Sequence, residues 1–571
     1  MNTSPYPLYE VRDIADIKDM LAQSISLYGQ KPAFLVKKKS GGPYTPVTYA
    51  ELGNDVEALG TAFLSLGLAD KKIAVIGENR YEWAISYLAA VTGKSTVVPL
   101  DKELPAEDIG NLLTRADVSC IVYSGKLADT VLKLCGELSN PPVLVNMDLD
   151  ADNDFERSLQ ALMKLGAELA ANGNTEFRDA KIAPEQPQIL LFTSGTTDIP
   201  KGVMLSHTNI VTDLKAMCQM IYIDDHDIFL SVLPLHHTYE CTCGFLCALY
   251  RGCTIAHCEG LKHILQNMKE AGATMMLGVP AMFELMYKRL WATAKKNGLE
   301  KKLRLGLKVS AVLGALHIDV RKKLFHQIHD TLGGNVRLFI SGAAAIDPVV
   351  SKGFRNFGIS FLQGYGITEC APIVAVNRDK AYQDSAAGLA MPCLDLNIAD
   401  KDADGIGEIV CRGKNVMLGY YQNEEATKQV FENGWFHTGD LGYLDPDGFL
   451  HITGRKKNVI VTKNGKNIFP EELETLLGRN PYVLESMIVG EFEPSDGETY
   501  LRAQIVPNFE HIRDAHGELS AEEIQKLMEQ AVKEVNDRNP LYKYIRRVTV
   551  REKEFEKTTT KKIQRYKAAN Q

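Results

Sequence analysis

The stretch ILLFTSGTTDIPKGVMLSH, residues 189–207, leads from an apolar, strand-like run directly into a loop of hydroxyl residues and glycine. Five neighbouring positions offer hydroxyl donors or an accessible backbone: Thr193, Ser194, Gly195, Thr196 and Thr197. Successive N–H groups in such a loop can surround an anion, and Lys201 adds a compact positive charge. The stretch therefore predicts a strand followed by a phosphate-binding loop, with a polar surface turn as the alternative. It is not a Walker loop, because the G-x-x-x-x-G-K-[ST] spacing is absent.

Short apolar runs bounded by turn residues recur as far as about residue 450. Four of them predict β-strands because they are rich in β-branched side chains: KIAVIG (72–77), STVVPL (95–100), VSCIVYSG (118–125) and VRLFISG (336–342). Helical stretches such as residues 49–67 lie between several of them. This alternation predicts an α/β fold of helix-covered β-sheets, with ligands at the ends of the strands.

The texture of the chain changes after His451. GRKKNVIVTKNGKNIFPEELE, residues 454–474, is followed by charged helix formers such as SAEEIQKLMEQAVKEVNDR, residues 520–538. We therefore expect a large N-terminal domain, residues 1–454, and a small C-terminal domain, residues 459–571, joined by residues 455–458.

Composition excludes several classes of protein. A chain of 571 residues exceeds what one hydrophobic core usually organises, and 45% hydrophobic against 24% charged residues argues against long disordered regions. The net charge of -8 argues against a nucleic-acid partner. Neither a secretory signal nor a run of roughly 18 uncharged apolar residues is present, so we expect a cytoplasmic protein, with peripheral membrane contact left open.

Eleven cysteines, an odd number, predict reduced thiols. Five of them lie close together: Cys241, Cys243, Cys247, Cys253 and Cys258. Their spacing lacks the paired Cys-x-x-Cys pattern of zinc sites, and their neighbours are apolar. Buried thiols acting as small apolar side chains are therefore favoured over metal ligands.

Three further segments follow the phosphate loop: QGYGITECAP (363–372), GWFHTGDLGYLDPDGFLHITGRKK (434–457) and KTTTKKIQR (557–565). Together, in this order, the four segments resemble the adenylate-forming (AMP-binding) superfamily, and within it the long-chain fatty acid acyl-CoA synthetases. Two positions depart from the family pattern, because Asp198 and Lys561 stand where glycine is usual. GEIVCRGKNVMLGYY, residues 407–421, also resembles the family and predicts a strand pair with a glycine turn.

The resemblance implies a nucleotide site. Tyr365 would stack on adenine between Gly364 and Gly366, and Thr368 would touch the α-phosphate. Glu369 would hold Mg²⁺ together with Thr196. An aromatic face suits a purine and a carboxylate oxygen suits magnesium, although Glu369 alone would more often be a solvated loop carboxylate.

Further roles are implied elsewhere in the chain. Asp440 would bind the ribose hydroxyls and Arg455 a ribose or phosphate oxygen, whereas a lone TGD would more often be a turn. Lys562 would be the catalytic lysine of a mobile α+β C-terminal domain that pivots at Lys457, and Gly465 would then approach the pantetheine arm. In LPLHHTYE, residues 233–240, His237 would stand at the mouth of the acyl pocket.

The implied enzyme is an ATP-dependent acyl-CoA ligase that uses ATP, Mg²⁺ and coenzyme A and acts on a medium- or long-chain fatty acid. A ligase for an aromatic or other acid, or one delivering to a carrier-protein thiol, would share every nucleotide motif. A non-catalytic nucleotide-binding protein is a third hypothesis, because of Asp198 and Lys561. The oligomeric state is not predicted.

Overall fold

The computed structural model describes residues 7–136, 138, 140–193, 200–462, 466–495, 497–557, 563 and 565. The chain divides into two compact units. The large unit comprises residues 1–396, 411–436 and 447–449, and the small unit comprises residues 397–410, 437–446 and 450–571. No helix among the described residues is both long enough and apolar enough to cross a bilayer.

One sheet of the large unit is mainly parallel, with antiparallel strands at its edges. In spatial order its strands are Gly388–Ala390, Ile373–Val376, Ser360–Gly366, Leu338–Ser341, Met275–Gly278, Ile228–Ser231, Thr254–His257, Pro32–Lys37 and Tyr44–Thr48. Phe283 from a flanking helix packs on Phe339 of the sheet, with ring centroids 5.1 Å apart. Both rings are fully buried, so the helix is held to the sheet by apolar packing.

A second sheet of the large unit contains the antiparallel pair Pro187–Thr193 and Lys201–Ser206, called the phosphate-loop hairpin because its strands flank the predicted phosphate loop in the sequence. Its strands, in spatial order, are Gly419–Tyr420, Lys201–Ser206, Pro187–Thr193, Thr96–Leu100, Lys72–Ile76, Cys120–Tyr123, Val143–Asn146 and Arg157–Ser158. Lys72–Ile76 pairs in parallel with both neighbours, and its side chains from Ile73 onward are buried. A central parallel strand is covered on both faces, which explains its continuous apolar run.

Helices surround these sheets. Those of the large unit are Ile17–Tyr28, Tyr49–Ser65, Tyr81–Thr92, Ala106–Ala116, Ala128–Gly136, Leu159–Ala171, Glu176–Asp179, His207–Met220, Cys247–Arg251, Ile264–Ala271, Pro280–Lys296, Glu300–Ala315, Arg321–Leu324, His326–Thr331, Pro348–Asn356 and Glu424–Val430. Tyr49–Ser65 begins with a capping box in which Thr48 and Glu51 satisfy each other's backbone N–H groups. A π-helical segment, Tyr239–Leu246, leads into the helix Cys247–Arg251.

The small unit has its own core. Val483–Glu493 and Glu498–Pro507 pair antiparallel, and Ile545–Val550 adds a parallel strand. Ile460–Val461 pairs with Asn467–Ile468. The remaining helices are Pro470–Gly478, Phe509–His516 and Ala521–Asn536. Mixed strands and helices make this unit α+β, with apolar side chains such as Leu473, Ile505 and Met528 buried together.

The boundary between the two units falls inside four strands: Leu394–Ala399, Gly407–Gly413, Trp435–Leu444 and Phe449–Arg455. Phe431–Glu432 pairs with the start of Trp435–Leu444 inside the large unit. Inside the small unit, Trp435–Leu444 and Phe449–Arg455 pair antiparallel, with Asp440 opposite Arg455.

The α/β prediction is confirmed, and the four strands predicted from apolar runs are present at Lys72–Ile76, Thr96–Leu100, Cys120–Tyr123 and Leu338–Ser341. The predicted strand pair in residues 407–421 is wrong. Gly419–Tyr420 pairs instead with Lys201–Ser206, because backbone pairing is decided by what the fold brings alongside each strand. The hinge at residues 455–458 concerns motion and stays a prediction.

The clustered cysteines behave as small apolar side chains. Cys241, Cys243, Cys247 and Cys253 are buried, whereas Cys258 is only partly buried. Burial raises the pKa of the Cys241 thiol to about 12, which keeps it protonated. A protonated thiol is a poor metal ligand, since the thiolate is the form that binds.

Candidate active site

Two antiparallel strands flank the predicted phosphate loop in the sequence. Thr193 ends one strand opposite Lys201, which begins the next, and the Thr193 hydroxyl donates to the carbonyl oxygen of Lys201 at 3.4 Å. The predicted residues Ser194, Gly195, Thr196 and Thr197, and the departure Asp198, lie outside the described residues. Thr193 lies at the carboxyl end of its strand, which is the end at which α/β sheets bind ligands.

Beside this hairpin, a cation contacts an aromatic ring, and the ring's hydroxyl contacts a carboxylate. Lys201 Nζ lies 4.8 Å from the centroid of the Tyr420 ring. The Tyr420 hydroxyl donates to Glu369 Oε1 at 2.9 Å, and the Met417 N–H donates to the carbonyl oxygen of Glu369 at 2.8 Å. Burial, followed by the charge of Glu369, raises the pKa of Tyr420 well above its ordinary value, so the hydroxyl stays a donor. The structure thus brings Lys201 and Glu369 together through Tyr420.

Tyr420 was not among the predicted site residues. It lies in the segment 407–421 that the sequence predicts to be structural. The tyrosine pair that ends this segment gives no signal of a site, because the hydrogen bond to Glu369 joins residues 51 positions apart. The strand Gly419–Tyr420 pairs with Lys201–Ser206, and this pairing brings the Tyr420 ring next to Glu369.

The segment that carries Glu369 is a strand followed by a tight turn. Tyr365, in the strand Ser360–Gly366, lies opposite Ala375 of the antiparallel neighbour and is buried. A Cβ on Gly366 would lie 2.3 Å from the carbonyl oxygen of Pro372, so only glycine fits there. The chain then enters the single 3₁₀ turn Thr368–Cys370, which holds Thr368 and Glu369 next to each other. Gly364 also lies in the strand, packed against Val376.

The segment 233–240 is pinned by one asparagine. The Asn79 amide donates to the carbonyl oxygen of Leu233 at 2.6 Å, and its oxygen accepts from the Leu235 N–H at 3.0 Å. The rings of His236 and His237 lie 4.3 Å apart between centroids. Burial, and then the charges of His237 and Lys102, hold the pKa of His236 well below its ordinary value. His236 is therefore neutral, and the predicted residue His237 follows it in this hydrogen-bonded segment.

Glu240 follows directly and is fully buried in the π-helical segment. The Ser231 hydroxyl and the Leu233 N–H donate to its carboxyl group, and a Cβ on Gly244 would lie 2.9 Å from its Cδ. Burial raises the pKa of Glu240 from 4.5 to about 8. The side chain is therefore protonated at neutral pH. Sequence reasoning did not single it out, because the charge state of a carboxyl group depends on its surroundings.

Replacing Glu240 by glutamine is expected to remove part of the pH dependence of stability. Between pH 4.5 and about 8 the folded protein holds a proton that the unfolded chain releases, so the stabilisation by Glu240 is full at low pH and lost as pH rises. The raised pKa corresponds to about 5 kcal/mol at most. In urea denaturation, the free energy of unfolding should fall less between pH 5 and pH 8 for Glu240→Gln than for the wild type. The exposed control Glu425→Gln should keep the wild-type difference, and an unchanged difference in Glu240→Gln would contradict the assignment.

In the small unit, Asp440 and Arg455 form a close ion pair. Arg455 Nε lies 2.6 Å from Asp440 Oδ1, and the Asp440 N–H donates to Thr438 Oγ1 at 3.1 Å. Asp440 is buried whereas Arg455 is partly exposed. The antiparallel register places the two residues directly opposite each other, so the pairing is built into the ladder.

A second carboxylate supports that ladder. Lys456 Nζ lies 2.8 Å from Glu408 Oε2, His437 Nδ1 lies 3.1 Å from the same oxygen, and the Gly439 N–H donates to Oε1 at 3.0 Å. Burial alone would raise the pKa of Glu408, but Lys456 and His437 hold it below its ordinary value. The charged carboxylate therefore holds the part of the strand that precedes Asp440.

Lys457 lies in the 3₁₀ turn Lys456–Asn458. Burial, and then the charges of Arg455 and Arg565, lower its pKa. The predicted residues Gly465 and Lys562, and the departure Lys561, lie outside the described residues.

Solved structures share this architecture. The crystal structure of the anthranilate CoA ligase AuaEII in complex with anthranoyl-AMP superposes with a TM-score of 0.78 at 18% sequence identity, covering 100% of this chain and 98% of that one. At that identity the likeness shows the fold alone. The fold is that of the adenylate-forming enzymes, with a large sheet domain and a smaller C-terminal domain.

The chain belongs to the AMP-binding enzyme family. The family model for AMP-binding enzymes matches residues 21–421, and the model for the AMP-binding enzyme C-terminal domain matches residues 457–571. The long-chain-fatty-acid–CoA ligase FadD15 of Mycobacterium bovis is 30% identical over 472 residues, which cover 80% of this chain and 77% of that protein. Human long-chain-fatty-acid–CoA ligase 1 is 28% identical over 535 residues, covering 88% of this chain and 75% of that protein. The predicted enzyme class, an AMP-forming acid–thiol ligase, is confirmed.

Proposed function

We propose that this enzyme activates a medium- or long-chain fatty acid as its acyl-adenylate and transfers the acyl group to coenzyme A. The observation that carries the proposal is the 30% identity, over 80% of the chain, to a protein named as a long-chain-fatty-acid–CoA ligase. The arrangement of Lys201, Tyr420 and Glu369 at the end of the phosphate-loop hairpin supports the nucleotide chemistry. A cytoplasmic location stays a prediction of the sequence.

The first step joins two anions. A substrate carboxylate oxygen forms a bond to the α-phosphorus of ATP, and the bond to pyrophosphate breaks. Negative charge accumulates on the phosphate oxygens, so the site needs cations and aligned donors at that point. In the second step a thiol sulfur bonds to the acyl carbonyl carbon, and AMP leaves.

Glu369 fits a magnesium ligand, because a hard carboxylate oxygen is what Mg²⁺ prefers and Tyr420 holds this carboxylate in place. Glu369 and Thr196 would hold the ion, which when bound neutralises charge on the phosphate oxygens. Lys201 would place a positive charge at the start of the same hairpin.

The remaining nucleotide roles are proposals from the family resemblance. We assign the adenine pocket to Tyr365 with Gly364 and Gly366, and an α-phosphate contact to Thr368. Asp440 is proposed to bind the ribose, with Arg455 orienting its carboxylate through the ion pair. His237 is assigned to the mouth of the acyl pocket, and Gly465 to the coenzyme A arm.

Substrate class can be measured directly. Pyrophosphate exchange into ATP should be fastest with acids between octanoate and palmitate, and the adenylates should transfer to coenzyme A. Faster exchange with benzoate or anthranilate would favour an aromatic-acid ligase. Transfer to a carrier-protein thiol in preference to coenzyme A would favour a carrier protein as the acceptor. Binding of ATP without exchange for any acid would favour the non-catalytic hypothesis.

Replacing Lys457 by proline tests the proposed hinge at residues 455–458. Proline fixes its own φ and restricts the residue before it, so a pivot at this position would be locked. Thiolation should fall by at least about tenfold while adenylate formation is retained. The matched control Lys457→Ala removes the same side chain but leaves the backbone free, and should keep both steps. Full thiolation in Lys457→Pro would move the hinge away from Lys457.

A further inference from the structure

An apolar stripe runs along the outside of the helix Glu300–Ala315. Its members are spaced by four, three and four residues and therefore share one helical face. They are Leu305 (61% exposed), Val309 (42%), Val312 (64%) and Leu316 (64%), the last of which caps the helix. Ile318, 50% exposed, extends the stripe beyond the helix end. Single exposed apolar side chains are common, but a continuous row of them marks a surface that contacts something else.

A different face attaches the helix to the large unit. Gly306 and Ser310 are buried there, and a Cβ on Gly306 would lie 3.2 Å from the Phe325 ring. The partly buried Leu303, Leu307 and Leu313 lie on the same side, so this face holds the helix. The apolar stripe points away from this packing.

Basic side chains surround the stripe. Residues 295–323 contain nine Lys and Arg residues against two acids, Glu300 and Asp319, although the whole chain carries a net charge of -8. Both acids are already paired, Glu300 with Arg304 at 2.9 Å and Asp319 with Arg321 at 2.7 Å. Exposed lysines flank the stripe and follow its end: Lys301, Lys302, Lys308, Lys322 and Lys323.

We propose that the helix Glu300–Ala315 lies on the surface of an anionic lipid bilayer, with the stripe among the acyl chains and the lysines at the phosphate headgroups. Lysine stems can extend along an apolar surface while the ammonium group stays at the interface. Anionic lipid complements the local excess of positive charge. An anionic bilayer provides both an apolar medium for the stripe and anions for the lysines beside it.

Other occupants fit less well. A second copy of the chain, docked through the same stripe, would bring two strongly basic segments together and repel. A nucleic acid would meet the lysines but leave the apolar row in water. Membrane contact through this helix does not depend on which acid the enzyme activates.

Vesicle co-sedimentation of the purified full chain tests this inference. We expect binding to phosphatidylcholine vesicles that contain phosphatidylglycerol, weaker binding to phosphatidylcholine alone, and weakening of both the affinity and the lipid preference at high salt. The double variant Leu305→Ser with Val312→Ser should lower partitioning by about tenfold or more. Phe155→Ser is the matched control, because Phe155 is 80% exposed and lies outside the stripe. It should bind like the wild type.

A charge variant separates the electrostatic contribution of the lysines from the apolar contribution of the stripe. Lys301→Glu with Lys308→Glu should abolish the preference for anionic vesicles, whereas Lys164→Glu, at an exposed lysine elsewhere, should not. Thermal melting checks that each variant is folded. Wild-type protein that binds neither vesicle, or a stripe variant that binds as well as Phe155→Ser, would overturn the proposal. So would light scattering that shows a dimer converted to monomer by the stripe variant. Pyrophosphate exchange with a soluble short acid, measured without vesicles, reports on the proposed function separately.

Discussion

Replacing Glu369 by glutamine is expected to slow adenylate formation by about 100- to 1,000-fold. Glutamine keeps the size of the side chain and can still accept the hydrogen bond from Tyr420, but it removes the negative charge that magnesium requires. Single-turnover measurement of acyl-adenylate formation at saturating ATP would report the effect. The midpoint for magnesium should rise in the same variant, which distinguishes lost metal binding from general damage.

Two matched variants accompany that prediction. Tyr420→Phe keeps the ring beside Lys201 but loses the donor to Glu369, and should cost about tenfold, because the carboxylate loses only its support. Glu425→Gln, at an exposed glutamate of a neighbouring helix, should leave the rate unchanged. A wild-type rate and magnesium dependence in Glu369→Gln would remove Glu369 from the metal site.

Replacing Lys562 by alanine is expected to reduce adenylate formation by about 1,000-fold while leaving thiolation of a supplied adenylate nearly intact. The expectation comes from the family resemblance of residues 557–565, since Lys562 lies outside the described residues. A lysine cation that acts on the developing charge at phosphorus is needed only in the first step. Measuring the two half-reactions separately would show this difference.

Lys561→Ala provides the neighbouring control, because it removes an equal charge one position away. If Lys561→Ala and Lys562→Ala lose the first step equally, the effect belongs to the basic segment and not to one catalytic lysine. Equal loss of both half-reactions in Lys562→Ala would contradict the assignment as well.

The order of residues alone allowed a large part of this protein to be predicted. Strands such as Lys72–Ile76 and Leu338–Ser341 follow from short β-branched runs, because a strand buried on both faces needs an uninterrupted apolar sequence. Glu369, Asp440 and Arg455 could be picked out because they lie in contiguous motifs, and the structure pairs the last two across a hairpin. Local sequence carries this information whenever the partners are close in the chain.

Contacts between distant segments could not be predicted in this way. Tyr420 reaches Glu369 only because Gly419–Tyr420 joins the edge of the phosphate-loop hairpin. The protonated state of Glu240 depends on burial beside Ser231 and Leu233, which no local pattern encodes.

The helix Glu300–Ala315 is a case in which sequence spacing does not reveal which face is buried. Its periodicity reveals an apolar stripe in the sequence, and a stripe of that kind ordinarily faces the core. In the folded chain the face with Gly306 and Ser310 is buried instead, and the apolar row is left outside. Spacing along a chain specifies which side chains share a face. Which face is covered depends on the surfaces that folding brings against it, because burial is a property of the whole packed structure.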